Sequence, residues 1–470
     1  MGTRIEYDSM GEVEVAADAL WGPTTQRALH NLKISSLRLP QSFMSALGVV
    51  KVAAARANRH IGALDPERCE AIVQAGLEVI RGTLHNQFVV DLFQTGSGTA
   101  TNMNANEVIA HRANQMLTHE GDAESKVHPN DHVNMGQSSN DVIPSALHIS
   151  VYQTIHSTML PKLRELERAL AAKSDEFSEV VKPGRTHLQD ATPVTLGQEF
   201  GGYASQVCHA IQRIERSSVG LLSLALGGSA VGTGITTRPG YVAAALKEIS
   251  ALTGFHFVEA ENHFESQASQ DVVVEVSGQL RGLAIVLMKI ANDLRWMASG
   301  PRCGLGEISL PSIMPGSSIM PGKINPVVCE IVMMVGAHVI GNDAAVSVCG
   351  QNGNFELNTM LPLLAHHVLE QIELLGNSSH AFAQSCVSGI VAHPERCREL
   401  TERSLASVTA LTPEIGYDRA AELVSRAMRE NSTVRQVADE AKALPKDQLD
   451  KLLDPRTMVG RGASGLTSGT

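Results

Sequence analysis

Residues 315–326 read PGSSIMPGKINP, and this stretch decides how the rest of the chain is interpreted. Its three prolines and two glycines are incompatible with a regular helix or strand, so it is predicted to be a loop. An apolar helical pattern begins directly after the loop, at Val327. Because backbone N–H groups at a helix start carry partial positive charge, a loop that brings two serines, a lysine and an asparagine there is suited to holding a small anion. The alternative, an ordinary surface loop, is disfavoured by the density of the pattern.

The sequence before and after this loop is dominated by helical periodicity. Alternating steps of three and four separate the apolar residues of the longest pattern: Val273, Val276, Leu280, Leu283, Leu287, Ile290, Leu294 and Met297. We predict one long helix here, and we expect it to be buried all round, in a bundle or at a subunit interface, because residues 284–286 make its other faces apolar too. A further apolar helix face runs from Leu361 to Leu375. These patterns predict a mainly α fold with a central long-helix bundle.

Shorter patterns organise the remainder of the chain. Helices are expected over 42–60 and from 66 to about 89, whereas the first 40 residues look like an extended, partly ordered arm. We find no convincing run of alternating strands. With 470 residues the chain exceeds one ordinary domain. The predicted domains are an N-terminal helical domain (1–137), a central helical bundle (138–394) and a small C-terminal helical domain (395–470).

Composition excludes several classes of function. A formal net charge of −11, without any run of basic residues, argues against a nucleic-acid surface. Five glycines interrupt the uncharged segment 217–237, which argues against a membrane span, and the N-terminus has charges where a signal peptide needs an apolar run. The seven cysteines are scattered and form no CxxC pair, so we expect free thiols in a reducing compartment, the cytoplasm.

Four polar segments stand at the start of helical patterns and are the candidates for a site. They are GSGT at 96–99, QSSN at 137–140, GRTH at 184–187 and GSS at 316–318. If they converge, they supply hydroxyls, amides, one imidazole and one ammonium, but no thiolate cluster and no nucleotide-binding fingerprint. That inventory suits acid–base chemistry on a carboxylate substrate, with no cofactor and no metal.

Two histidine pairs offer other interpretations. His128 and His132 are four residues apart with Asp131 between them, which imitates a metal-binding pair. Pro129 and the lack of a third ligand argue against that reading. His366 and His367 point to different faces of a helix, so they are interpreted as solvated surface.

The motifs GSSIMPGKINP, GRTHLQDATP, TGSGTATNMN and HPNDHVNMGQSSND together resemble those of the aspartase/fumarase superfamily, and within it those of the class II fumarases. The similarity extends over essentially the whole chain. His187 after Gly-Arg-Thr and Gly322 before the lysine match the fumarases, where aspartases typically carry Gln and Ala. The resemblance implies a three-domain, mainly α fold and reversible anti elimination of water from L-malate to fumarate through an aci-carboxylate intermediate, a step of the tricarboxylic acid cycle.

The resemblance also implies roles for individual residues. Ser317 would be the base that takes the C3 proton, His187 would protonate the departing hydroxyl, and Glu330 would orient and polarise that histidine. Three residues would stabilise the aci-carboxylate, with loop amides: Ser318, Lys323 and Asn325. The other substrate-binding positions implied are Ser97, Gly98, Thr99, Ser138, Ser139, Asn140, Thr186 and Ile324. A secondary dicarboxylate site would comprise His128, Pro129, Asn130 and Asp131.

The resemblance also predicts an oligomeric state and leaves alternative functions to be considered. The family implies a homotetramer whose active sites are each built from three chains, with no nucleic-acid or membrane partner. One rival is another lyase of the superfamily, acting on aspartate or a related substituted succinate. A second rival is a non-catalytic structural relative, which would be expected to lack Ser317, Lys323 or His187. For the two loop serines the plainer alternative is a role in loop geometry, and for His187 it is helix capping.

Overall fold

The computed structural model describes residues 2–117 and 126–460. Its α-helices are α1 (Pro23–Asn31), α2 (Gln41–His60), α3 (Pro66–Ile80), α4 (Thr99–Met116), α5 (Ser139–Thr154), α6 (Leu160–Glu176), α7 (Leu196–Ser218), α8 (Tyr241–Thr253), α9 (His263–Ala268), α10 (Asp271–Met297), α11 (Val327–Gly350), α12 (Leu361–Ser385), α13 (Pro394–Arg403), α14 (Thr412–Ile415), α15 (Tyr417–Glu430), α16 (Val434–Glu440), α17 (Lys446–Leu452) and α18 (Pro455–Met458). The mainly α class predicted from the apolar periodicity is confirmed.

The strands are short and form two-stranded sheets. They are β1 (Thr3–Asp8), β2 (Gly11–Ala16), β3 (Val181–Thr186), β4 (Gln189–Thr195), β5 (Ser223–Leu224), β6 (Val258–Glu259), β7 (Ile308–Ser309), β8 (Gly353–Asn354), β9 (Leu357–Asn358) and β10 (Val391–Ala392). The pairs β1–β2, β3–β4, β7–β10 and β8–β9 are antiparallel, and β5–β6 is parallel.

The chain forms two compact units. The first unit comprises Met1–Pro161, Gln212–Ala284 and Ala337–Gly376, and the second comprises Lys162–Ile211, Ile285–Gly336 and Asn377–Thr470. The division into three domains along the sequence stays a prediction.

Helix α10 is the long helix predicted from the steps of three and four. All eight residues of that apolar seam are buried. In the single chain Ile285 is 52% exposed and Trp296 is 48% exposed, so the complete burial of α10 stays a prediction for a subunit interface. Helix α11 has a larger exposed apolar face, on which Met334 is 65% exposed. Among the described helices α11 is the one whose length and composition would also suit a membrane span, a test that core helices pass as well.

The N-terminal segment differs from the predicted arm. Strands β1 and β2 pair in register from Thr3 opposite Ala16 to Asp8 opposite Gly11. Val13 and Val15 alternate with glutamates and are buried, which is the strand pattern that the sequence interpretation overlooked. Helix α3 is also shorter than predicted. It ends at Ile80 rather than near residue 89, because Gly82 follows with a φ of 79°.

Candidate active site

The segment 96–99 turns sharply into α4 in the first unit. Gly98 is the N-cap residue with a φ of 75°, a left-handed conformation that favours glycine. Gly96 is also required, because a Cβ there would lie 1.7 Å from the carbonyl oxygen of Thr359. The buried Ser97 and the neighbouring Thr99 hydroxyls hydrogen-bond each other at 2.8 Å. This segment therefore begins a helix, as predicted, and holds two hydroxyls side by side.

The segment 138–140 begins α5 in the same unit. Ser138 is the N-cap residue and forms a capping box with Asp141, whose Oδ1 accepts the Ser138 N–H at 2.9 Å. Ser139 Oγ accepts a hydrogen bond from the Asn102 amide at 3.0 Å. The Asn140 side chain donates to the carbonyl of Ala230 at 2.8 Å. Each member of this predicted substrate-binding segment therefore has a defined orientation.

Asp141 also connects this segment to the backbone of residues 227–229. Its Oδ2 accepts the N–H groups of Gly227 and Ser229, each at 3.0 Å. Burial raises the pKa of the Asp141 carboxyl, and the hydrogen bonds from the backbone oppose that rise. The helix start at residues 137–140 was predicted from the sequence, whereas the anchoring role of Asp141 was missed.

The predicted secondary site lies on the exposed π-helical turn Pro129–Val133, also in the first unit. His128 Nδ1 lies 3.1 Å from Asp131 Oδ2, and both side chains are more than half exposed. His132 Nδ1 accepts the backbone N–H of His128 at 2.7 Å, and burial lowers the pKa of His132. Across the described residues no group of three or more His, Cys, Asp or Glu side chains is arranged to hold a metal ion.

The segment 184–187 does not open a helix, so that expectation is wrong. It forms the end of a β-hairpin in the second unit, with Thr186 paired opposite Gln189 and a two-residue turn, His187-Leu188, between them. Both turn residues have positive φ, 58° and 59°, the conformation of a type I′ turn. Such turns usually contain Asn-Gly, so His-Leu gave no hairpin signal. The turn leaves His187 and Thr186 exposed at the hairpin tip.

A buried charge cluster fixes the base of this hairpin. Arg185 donates two hydrogen bonds to the carboxylate of Glu307, at 3.1 and 2.8 Å, and Glu307 is fully buried. Lys182 lies 3.5 Å from Glu307 and donates to Glu199 at 2.9 Å. The Glu199 pKa is raised by burial and lowered by Lys182, with burial the larger effect. Nothing in the sequence signalled that Glu307 is buried against two cations.

Residues 316–326 form a loop that closes on itself in the second unit. The Gly316 N–H donates to the Lys323 carbonyl at 3.1 Å, and the Asn325 side chain donates to the Gly316 carbonyl at 2.6 Å. A Cβ at Gly316 would lie 2.2 Å from the Lys323 carbonyl oxygen, so only glycine permits this closure. The loop precedes α11, as predicted.

The two catalytic candidates on this loop have different surroundings. Ser317 Oγ accepts two backbone N–H groups, from Ile319 at 3.2 Å and from Met320 at 2.9 Å. Hydrogen bonds from N–H donors stabilise negative charge on an oxygen. Lys323 is exposed, and within the described residues no carboxylate forms an ion pair with it. The loop therefore offers a hydroxyl oxygen held by two donors and an ammonium free to bind an anion.

A cavity of about 1250 Å³ lies beside this loop, entirely within the second unit. Of the predicted residues, Lys323, Ile324, Asn325 and Glu330 line it. Ser317, Ser318, Thr186 and His187 do not line it, although they belong to the same unit. Arg295 also lines the cavity and was missed; its guanidinium donates to the sulfur of Met333 at 2.9 Å.

Comparison with known proteins identifies the family to which the chain belongs. The family described as "Lyase" matches residues 11–341, and the family described as "Fumarase C C-terminus" matches residues 408–460. The first match covers most of the chain, which makes the protein a lyase.

Relatives that match nearly the whole chain show which family of lyases it belongs to. The chain is 48% identical to "Fumarate hydratase class II" of Nitrosomonas europaea, over 97% of this chain and 99% of that protein. It is 49% identical to "Fumarate hydratase, mitochondrial" of Rattus norvegicus, over 97% of this chain and 90% of that protein. A solved class II fumarase from Schistosoma mansoni superposes with a TM-score of 0.94 at 37% identity, covering 98% and 99% of the two chains. This protein belongs to the class II fumarate hydratase family.

Proposed function

We propose that this enzyme catalyses the reversible hydration of fumarate to L-malate, with Ser317 as the base that removes the C3 proton of malate. The observation that carries the proposal is the pair of backbone N–H groups donated to Ser317 Oγ. An ordinary serine hydroxyl is a weak base, so it needs surroundings that stabilise its alkoxide. Two N–H donors and the ammonium of Lys323 on the same loop are suited to that task.

Other side chains stabilise the intermediate and protonate the leaving hydroxyl. As the C3–H bond breaks, its electrons move into the adjacent carboxylate, and the aci-carboxylate oxygens need cationic and N–H donors. Lys323, Asn325 and Ser318 supply these. His187 gives a proton to the hydroxyl as the C2–O bond breaks, and Glu330 orients and polarises the imidazole. Water leaves, and fumarate is released.

The other predicted positions bind and orient the substrate in this proposal. The adjacent hydroxyls of Ser97 and Thr99 and the amide of Asn140 hold the reacting water and a substrate carboxylate. Ser139 and Thr186 line the pocket, and Gly98, Ser138 and Ile324 contribute backbone contacts. The exposed turn at His128, Pro129, Asn130 and Asp131 is a secondary dicarboxylate site.

We further propose that the active enzyme is a homotetramer in which three chains build each site. The exposed apolar side chains of α11 support this assembly, because surfaces of this kind are usually covered by another protein. They are Ile331, Met334, Ile340 and Val348. Mixing inactive Ser317→Ala chains with inactive His187→Asn chains, with subunit exchange, is expected to restore activity in hybrids. Hybrids without any recovered activity would exclude shared sites of this kind.

The reaction and the class of substrate are tested by following the absorbance of the fumarate that is formed, with L-malate or L-aspartate as the substrate. Wild-type enzyme is expected to release fumarate from malate and not from aspartate. Ser317→Ala is expected to abolish the signal, whereas Ser312→Ala, an exposed serine just before the loop, is expected to retain it. Release from aspartate alone would instead identify an ammonia lyase of the superfamily.

The compartment and the metal requirement belong to the same proposal. We place the enzyme in the cytoplasm, and the seven free cysteines support a reducing compartment. One relative is named as mitochondrial, so subcellular fractionation is the appropriate test. Activity is proposed to be independent of metal ions and of cofactors.

A further inference from the structure

Lys51 is a fully buried lysine in the middle of α2, within the first unit. Its ammonium donates to two side-chain amide oxygens, Asn134 Oδ1 and Gln137 Oε1, each at 3.0 Å. Among the described residues no carboxylate lies within ion-pair distance of it. Burial of an ammonium is costly, and it lowers the pKa of Lys51 to about 7, although the negative charge of Asp141 opposes that fall. Lys51 is therefore buried at a cost in the free energy of folding.

The two acceptors of Lys51 lie directly before the segment that the proposed function assigns to substrate binding. Gln137 is the residue before Ser138, and its amide also donates to the carbonyls of Val133 and Met135. Asn134 donates to the Gln137 carbonyl at 3.2 Å. The side chains of Asn134 and Gln137 therefore fold the chain into a tight loop around the Lys51 ammonium.

A chain of hydrogen bonds continues from Lys51 to Ser139. Asn134 Oδ1 accepts from Lys51 and also from Asn102 Nδ2, at 3.2 Å. The same Asn102 nitrogen donates to Ser139 Oγ at 3.0 Å. Because Asn102 donates to Ser139, the Ser139 hydroxyl is left free to donate its own proton to an acceptor such as a carboxylate oxygen.

We propose that Lys51 is a positioning residue of the dicarboxylate site, which orients the Ser139 hydroxyl toward a substrate carboxylate through Asn134 and Asn102. This inference rests on the proposed function. Lys51 does not touch the substrate. An ammonium suits the position because it donates to both amide oxygens at once, and Gln137 Oε1 has no other donor among the described residues.

A double-mutant cycle between Lys51 and Ser139 tests the proposal. Lys51→Met keeps the length of the side chain and removes its donors. Loss of one oriented hydrogen bond to the substrate is expected to raise the KM for fumarate about tenfold and to leave kcat within about twofold. Ser139→Ala is expected to have a similar effect. If Lys51 acts through Ser139, the double variant has the KM of Ser139→Ala alone.

The proposal would be overturned if the two substitutions acted independently, so that the KM of the double variant rose by the product of the factors measured for Lys51→Met and Ser139→Ala. Asn58→Ala is the matched control, because Asn58 is buried, lies on α2 and holds the same loop through the Met135 carbonyl at 3.0 Å, but among the described residues it makes no hydrogen bond to Asn134 or Asn102. A rise in KM for Asn58→Ala equal to that for Lys51→Met would show that Lys51 only stabilises the loop.

A second variant keeps the test decisive if Lys51→Met fails to fold. Asn102→Ala removes the donor to Ser139, so its effect on KM is also expected to vanish in the Ser139→Ala background. Additive effects of Asn102→Ala and Ser139→Ala would contradict the proposed chain of hydrogen bonds. Wild-type enzyme is assayed first with fumarate and malate. An inactive wild type would overturn the proposed function and this inference with it, whereas an active wild type with additive cycles overturns the inference alone.

Discussion

Replacing Glu307 by glutamine removes the negative charge that holds the hairpin carrying His187. The Glu307 carboxylate is fully buried, accepts two hydrogen bonds from Arg185, and lies 3.5 Å from Lys182. Removing one partner of a buried charge pair costs about 3–5 kcal/mol, because the remaining charge is left uncompensated. Glutamine keeps the size and one acceptor oxygen, so we expect the free energy of unfolding to fall by about 3 kcal/mol.

Urea denaturation followed by circular dichroism measures this loss, and the hydration assay measures its effect on His187. A loosened hairpin misplaces the proton donor, so we expect kcat to fall about tenfold or more. Glu422→Gln is the control, because Glu422 also pairs with an arginine, Arg419, at 4.0 Å, but the two side chains are 73% and 53% exposed. An exposed pair contributes about 0–1 kcal/mol. Equal losses of stability in the two variants would refute the assignment of Glu307 as the anchor of the hairpin.

Three further predictions concern the loop, the buried lysine and metal ions. Lys323→Met is expected to lower kcat about 10²–10³-fold without changing the circular dichroism spectrum, since the side chain is exposed and stabilises charge in the transition state. The pKa of Lys51 falls from 10.5 to about 7 on folding, so between those values the unfolded chain binds the additional proton at Lys51, and the contribution of this one group makes thermal stability rise with pH in that window. Lys51→Met should remove that rise, and an unchanged slope would contradict the assignment. Exhaustive chelation is expected to leave malate dehydration unchanged; activity lost on chelation and restored by a divalent cation would overturn the metal-independent mechanism.

Sequence patterns predicted the parts of the fold that depend on local regularity. The seam of α10 follows from apolar residues at steps of three and four, and the start of α5 follows from the polar segment 137–140. The absence of a helix or strand at residues 316–326 follows from the prolines and glycines of that loop. Each of these features is encoded by residues that are neighbours in the chain.

Features that depend on distant residues were not predictable in the same way. The hairpin at His187 was missed because its turn residues are not those that usually adopt positive φ. Lys51 and Glu307 are types of residue that are usually solvated, and only the folded chain brings their partners to them. The sequence motifs therefore indicated which side chains are available for chemistry, whereas the residues that orient them became apparent only from the packing.

Exchange of the C3 proton of L-malate with solvent deuterium, followed by NMR, tests the central claim most directly because it separates proton removal from loss of water. If Ser317 is the base and His187 the acid, His187→Asn is expected to exchange the C3 proton while producing little fumarate. Ser317→Ala is expected to show neither exchange nor elimination. Exchange that persists in Ser317→Ala would show that another group removes the proton and would contradict the account.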